Sequence, residues 1–430
     1  MTGRDLVAGR SGRLSVAIDA TALLGRPTGI GTFTREVLRR LRLDPSLELV
    51  PFAVTVRGRG ELARALADLG PARCPDGRAV GPLGRLGIPM PARPLRAAWR
   101  LADHPVTELW TGAVDVVWGP NFVVPPARRA AEVVTVHDLT PLHFPELCHR
   151  NTLAYPALVR RAVARGALVQ TDSEAVAAEV RDWLGVAPER VVAVPLGVDP
   201  PATGDPAAGR RRAGAARYVL ALGTVEPRKD LPTLVAAFDR AAAAVDDLAL
   251  VVAGPDGWGV GAFDAAVAAA RHRSRIRRLG WVDDTARADL LAGACCLAFP
   301  SVYEGFGLPP LEALAAGVPV VCSDRPVLAE VTGNAARRVP ARDTAAWADA
   351  LVALAVASGS DDVGDGPSKY LGVGSARAEL ARRGRQQAAR FSWDACAARL
   401  GELLRAAAAG AGERGGRARR GQPGGQPQGR

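Results

Sequence analysis

Short apolar runs recur along this chain, each followed by a stretch in which apolar positions return at helical spacing. In the first half the runs predict strands over Leu14–Asp19, Leu47–Val54, Val114–Trp118, Glu132–Val136, Leu168–Thr171 and Val191–Val194. Helices are expected between them over Thr32–Leu41 and Glu174–Leu184, the second capped by Ser173 with Glu174 just inside its start. In the second half the runs predict strands over Tyr218–Leu222, Leu248–Ala253, Ile276–Gly280, Cys295–Pro300, Val318–Cys322 and Arg337–Val339. Strands that are apolar throughout and alternate with helices build parallel sheets covered on both faces, so the chain is α/β.

Regular structure breaks over Pro195–Pro206, which is dense in Pro and Gly, before a strand restarts at Tyr218. A boundary there gives a first domain over 1–205 and a second over 206–408. A chain of 430 residues is too long for one ordinary core and suits two. Residues 72–97, rich in Pro, Gly and Arg, read as a surface loop, and 358–376 as a flexible insertion.

The formal charge is +11, but residues 409–430 hold five arginines against Glu413. That Gly/Arg-rich tail cannot build a core and is expected to be disordered. The remaining excess suits anionic small substrates or an anionic membrane face and does not call for nucleic acid. No apolar run is long enough to span a membrane and the N-terminus lacks a signal core, so a cytoplasmic protein is expected. The segment Tyr155–Arg165 sets apolar residues beside Arg160, Arg161 and Arg165, which fits peripheral membrane contact and a solvated amphipathic helix equally. Six cysteines without Cys-x-x-Cys spacing and scattered histidines indicate neither disulfides nor a metal site, and no cofactor is expected. Oligomeric state is not legible.

The candidate chemistry concentrates in Tyr303-Glu304-Gly305-Phe306-Gly307-Leu308-Pro309-Pro310-Leu311-Glu312. A strand end, a glycine loop and a helix start together make an anion site, because free backbone N–H groups and the helix dipole point the same way. Glu304 at the loop entrance can reach a hydroxylated group beside that anion. Glu312, expected in the first helical turn, can accept two vicinal hydroxyls such as those of a ribose. A diphosphate flanked by two polyols is a nucleotide sugar. Arg228 and Lys229 stand at the carboxyl end of another strand, before a helix that Asp230 should cap, and read as a clamp on the diphosphate. His137 and Asp138 end a strand of the first half in the same way.

These segments resemble the retaining glycosyltransferases of family 4, which have the two-domain GT-B fold. The stretch from Glu304 to Glu312 is similar to the family's Glu-x7-Glu signature. Gly223-Thr224-Val225-Glu226-Pro227-Arg228-Lys229-Asp230 resembles its basic loop, Val136-His137-Asp138-Leu139 its His-Asp pair, and Gly29-Ile30-Gly31-Thr32-Phe33 its N-terminal glycine turn. The resemblance implies two Rossmann-like domains facing across a cleft. It places the transferred sugar at Glu304, the diphosphate on the Phe306–Leu308 backbone, the ribose at Glu312, and Gly223 in the donor loop. His137 would bond a sugar hydroxyl or polarise the backbone. Gly29, Gly31 and Asp138 would lie on the acceptor side, and the base would be held by backbone at Gly254–Gly257 and Leu279–Val282. The implied activity is transfer of mannose or a related hexose, without metal, from a nucleoside diphosphate sugar to a glycan or lipid-linked acceptor. An epimerase of the same fold, or a non-catalytic binding protein that keeps it, are the alternatives.

Overall fold

The computed structural model describes residues 12–25, 28–70, 72–73, 79–80, 86–88, 90–199, 203–359 and 373–420. In chain order the strands of the first half are β1 (Leu14–Asp19), β2 (Leu47–Val54), β3 (Ala72–Arg73), β4 (Ala79–Val80), β5 (Leu86–Ile88), β6 (Val116–Gly119), β7 (Ala131–Val136), β8 (Leu168–Thr171) and β9 (Val191–Ala193). The second half contributes β10 (Arg217–Leu222), β11 (Leu248–Ala253), β12 (Ile276–Gly280), β13 (Cys296–Phe299), β14 (Val320–Ser323) and β15 (Ala336–Val339).

The first half forms a seven-stranded sheet in the order β5-β2-β1-β6-β7-β8-β9, and the second a six-stranded sheet in the order β12-β11-β10-β13-β14-β15. Every pairing in both sheets is parallel. Each chain segment starts at the sheet's middle, winds outward, then returns to build the other side. The order therefore reverses between β1 and β6, and again between β10 and β13. At such a switch point adjacent crossovers leave in opposite directions and open a crevice at the carboxyl ends of the strands. Central strands such as β7, β10 and β11 are buried almost end to end, as helix-covered sheets require.

Three expectations need correcting. The stretch expected as a loop over 72–97 supplies the small β3–β4 hairpin, the edge strand β5 and the start of the helix Ala92–Leu101. That helix buries only Leu95 and Trp99, four residues apart, amid three arginines. The last helix, Trp393–Arg420, is assigned by the boundary at 206 to the second half yet packs on the helix Gly29–Leu41 and on β6 and β7. Its apolar face, Cys396, Leu400, Leu403 and Leu404, joins the buried cluster of Val37, Leu41 and Val116. Arg40 fixes the docking, pairing with Asp394 at 2.6 Å and with Asp199 at 2.7 Å. That helix also continues through residues 409–420, where disorder was expected, while 421–430 lie outside the described residues. Most of the 358–376 insertion lies outside them too.

The chain thus crosses between halves twice, and the crossings touch. Val198 N–H donates to the Phe391 carbonyl at 3.2 Å, and Gly197 is packed against the Trp393 backbone so closely that no side chain fits. Among the described residues no helix is long and apolar enough to cross a membrane. The basic residues of Tyr155–Arg165 are engaged within the fold: Arg165 with Glu132 at 2.7 Å, Arg161 with Asp103 at 2.9 Å, and Arg160 over the Trp183 ring.

Candidate active site

The crevice at the carboxyl ends of β10 and β13 gathers the expected acid and bases. Glu304 follows β13 and is 7% exposed. Its Oε1 takes a hydrogen bond from Lys229 Nζ at 2.6 Å, and its Oε2 lies 2.5 Å from Arg228 Nη1. Arg228 also donates to the Tyr303 carbonyl at 3.0 Å and to Glu226 Oε1 at 2.7 Å. Lys229 Nζ lies 4.4 Å above the centroid of the Phe299 ring. Burial alone would raise the Glu304 carboxyl, but Arg228 and Lys229 outweigh it and hold it at about 2. Burial likewise lowers the Arg228 guanidinium, yet Glu304, Glu226 and Asp138 together raise it. For Lys229 burial wins: its ammonium is pulled below the usual lysine range, Glu304 offsetting only part of the cost. A buried carboxylate is here matched by two cations that an incoming anion could draw away.

Arg228 and Lys229 sit in a single tight turn, Pro227–Lys229, ahead of the helix Leu231–Ala242. Asp230 occupies the expected cap position in a left-handed conformation, φ 47°, with its carboxyl turned toward Thr233 of the first helical turn. Gly223 (φ 134°) ends β10, and a Cβ there would touch the Lys229 chain at 3.6 Å. Beside it, Gly254 leaves no room for a side chain against the Gly223 carbonyl, so the ends of β10 and β11 expose backbone alone.

The helix after the glycine loop spans Leu308–Ala315, with Gly307 at its cap in the left-handed region, φ 104°. Glu312 is its fifth residue, past the first turn where it was expected, and pairs with Arg287 from the helix Asp284–Gly293. Phe306 points inward and meets Phe391 edge-on, which leaves only its backbone to face the crevice.

His137 comes from the other half, at the end of β7, and it too is buried. Its Nδ1 lies 2.6 Å from Asp172 Oδ2 and its Nε2 2.8 Å from the Pro120 carbonyl. Both ring nitrogens thus lie within hydrogen-bond distance of an oxygen. Burial pushes its pKa down, but Asp172 overrides that and raises it. Phe33 and Phe122 close on the ring edge-on, which places Phe33 in the core. Both ring nitrogens are therefore engaged within the first half, one with a carboxylate and one with the backbone. Its main chain meets Gly305 directly: a Cβ on Gly305 would overlap the His137 carbonyl oxygen and stand 3.3 Å from Asp138 Cβ. Asp138 Oδ1 accepts from Thr140 N–H at 2.9 Å.

Gly29 and Gly31 form the first turn of the helix Gly29–Leu41, capped by Thr28, and not a loop before it. Gly29 faces Leu308 across the crevice, and Gly31 packs near the Ala22 carbonyl. The structure thus brings Glu304, Arg228, Lys229, Gly305, His137 and Asp138 into one cluster. Glu312 stands apart with Arg287, and Gly29 approaches by way of Leu308.

Three participants were not singled out from the sequence, Glu226, Arg287 and Tyr303, and Asp172 was read with Thr171 and Ser173 as structural with a secondary role in acceptor binding. Tyr303 spans the halves, its hydroxyl donating to Glu179 Oε2 at 2.7 Å and accepting from Leu139 N–H at 3.1 Å. Asp172 carries the same signal as His137, a polar residue at the carboxyl end of a central strand, but a helix cap at Ser173 already accounted for its neighbourhood.

Residues 27–201 match the model of Glycosyltransferase Family 4, and residues 216–356 that of Glycosyl transferases group 1. The chain is 28% identical over 382 residues to the O-antigen chain mannosyltransferase B of Escherichia coli, covering 86% of this chain and 93% of that protein. Among solved structures, Anabaena HepE in complex with UDP and glucose aligns with a TM-score of 0.65 at 16% identity, over 91% of this chain and 99% of that one. WaaG, a glycosyltransferase involved in lipopolysaccharide biosynthesis, aligns with a TM-score of 0.65 at 15% identity, again over 91% and 99%.

Proposed function

Since the chain belongs to the group 1 and family 4 glycosyltransferases and has their GT-B fold, we propose that it is a retaining hexosyltransferase. It moves mannose or a related hexose from a nucleoside diphosphate sugar to a hydroxyl of a glycan or lipid-linked acceptor. The observation that carries this reading is the ion cluster of Glu304, Arg228 and Lys229 at the switch point of the second sheet.

In the absence of donor, Glu304 holds the two cations in place. A diphosphate entering over the Gly305–Leu308 backbone competes for them, and the carboxylate is then free to accept hydroxyls of the sugar. Arg228 and Lys229 neutralise the charge that builds on the diphosphate as the C1–O bond breaks. His137, paired with Asp172, lines the opposite wall against Gly305. Of the cluster's carboxylates, Asp172 is engaged with His137 and Asp138 accepts from Thr140 N–H, while Glu304 turns to the sugar hydroxyls once the donor is bound. Proton removal from the acceptor therefore falls to the departing diphosphate oxygen. The acceptor oxygen bonds to C1 on the face the diphosphate leaves, its proton passes to that phosphate oxygen, and the anomeric configuration is kept.

The sugar is read from the mannosyltransferase relative and the diphosphate from the neighbour solved with UDP. A metal-free thermal-shift panel of GDP, UDP, ADP and dTDP with their common sugars tests the donor. One nucleotide should raise the midpoint selectively by stabilising the folded state. No shift from any of them overturns the donor assignment, and NMR showing an inverted product anomer overturns retention.

A further inference from the structure

The N-terminus of the helix Glu174–Leu184, in the first half, is covered from the second. Its first three N–H groups all find acceptors. Glu330 Oε1 accepts from Glu174 N–H at 2.9 Å and Glu330 Oε2 from Ala175 N–H at 3.0 Å. Ser173 Oγ accepts from Val176 N–H at 3.2 Å, and its own hydroxyl donates to the Gly305 carbonyl at 2.9 Å. The cap of this helix is therefore shared between a serine that grips the glycine loop and a carboxylate from a different domain. Beside Glu330 in the helix Pro326–Thr332, Val327 is buried in the core of the first half with Val136 and Val176. Leu328 packs beneath Gly307. One short helix thus touches the opposite core, the opposite helix terminus and the glycine loop.

A helix N-terminus carries partial positive charge and unpaired donors, so a carboxylate placed across two of its N–H groups is held by both. These bonds exist only while the halves are together. When the crevice opens these charge-assisted bonds are exchanged for bonds to water, and the net difference biases the pair toward closure.

We propose that Glu330 is a positioning residue that latches the crevice shut. By clamping the helix Glu174–Leu184 it keeps Ser173 on Gly305 and Gly305 against His137, so the donor loop meets the first half in a fixed register. The kinetic consequence rests on the donor-site reading above, whereas the structural consequence does not. Residues that grip the diphosphate lie wholly in the second half, so losing the latch should leave nucleotide binding alone and slow turnover.

The test compares Glu330→Ala and the nearly isosteric Glu330→Gln with the wild-type chain. Three quantities are read: the Kd for the nucleoside diphosphate that shifts the wild type most, kcat with its sugar donor, and the solution radius of gyration of the free protein. Both variants should keep Kd within about two-fold, lose roughly ten-fold in kcat and show an enlarged radius, Ala more than Gln. Wild-type kcat and radius in both variants would overturn the latch. So would a joint loss of Kd, kcat and thermal midpoint at unchanged radius, which is the signature of a merely structural glutamate. Should Glu330→Ala fail to fold, Glu330→Gln decides alone. If the wild type binds no nucleoside diphosphate while the variants still expand, the donor reading fails and the latch stands.

Discussion

Gly305 meets the His137 carbonyl oxygen so closely that no Cβ can be added between them, although the two residues belong to different domains. The glycine is needed for this approach and not for its own backbone conformation. Gly305→Ala should therefore leave each half folded but hold them apart. We expect kcat to fall by roughly ten-fold or more while nucleotide affinity stays within about two-fold, since a misplaced reacting group costs that much. Steady-state kinetics with calorimetric titration check it, and unaltered kcat would show the contact to be dispensable.

Glu304 neutralises two buried cations, so its removal acts on them as well as on the sugar. Glu304→Ala should lower kcat roughly a hundred-fold, the scale of a lost transition-state contact. Affinity for the nucleoside diphosphate should hold or rise, because Arg228 and Lys229 are released to it. Parallel losses in kcat and affinity would contradict this division of labour.

Lys229 is buried with its ammonium pulled below the lysine range, which makes it a group that gains from a second anion. Lys229→Ala should weaken nucleoside diphosphate binding by about 1.5–3 kcal/mol, as expected for a lost charged hydrogen bond. Titration calorimetry reads this directly, and wild-type affinity would remove Lys229 from the clamp.

The His137–Asp172 pair makes stability depend on pH. The folded-state pKa of His137 is raised above its ordinary value, since Asp172 outweighs the burial that would lower it. Its contribution is therefore complete below the unfolded histidine pKa of about 6.5 and fades as pH rises through the higher folded value. Asp172→Asn removes the cause of the shift, so the stability gap between wild type and variant should be widest near pH 6 and narrow toward pH 9. Denaturant unfolding at several pH values measures that gap, and a gap independent of pH would mean that His137 is not the titrating group.

Much of the fold was legible because hydrophobic periodicity is local. A strand such as Leu248–Ala253, apolar at every position, can only be a covered central strand, and the structure buries all of it. The glycine loops were legible for a similar reason: Gly223 and Gly307 mark turns whose left-handed backbone excludes other residues. By contrast β5, of three residues, is too short to carry a period, and the helix Ala92–Leu101 was read as loop from its Pro/Gly/Arg-rich surroundings although Leu95 and Trp99 stand at helical spacing. Their structure comes from what they lie against.

The sequence by itself determined the residue types of the site and their strand-end positions, for which periodicity and turn chemistry suffice. Only the tertiary structure decided their partners. For His137, expected to bond a sugar hydroxyl or polarise the backbone, it set Asp172 on one nitrogen and the Pro120 carbonyl on the other. It returned the last helix to the first sheet, and it brought Glu330 to a helix end 156 residues earlier. Such pairings depend on strand order, domain closure and the packing of faces from distant segments. No local pattern encodes them, because the free energy that selects them comes from burying those faces together.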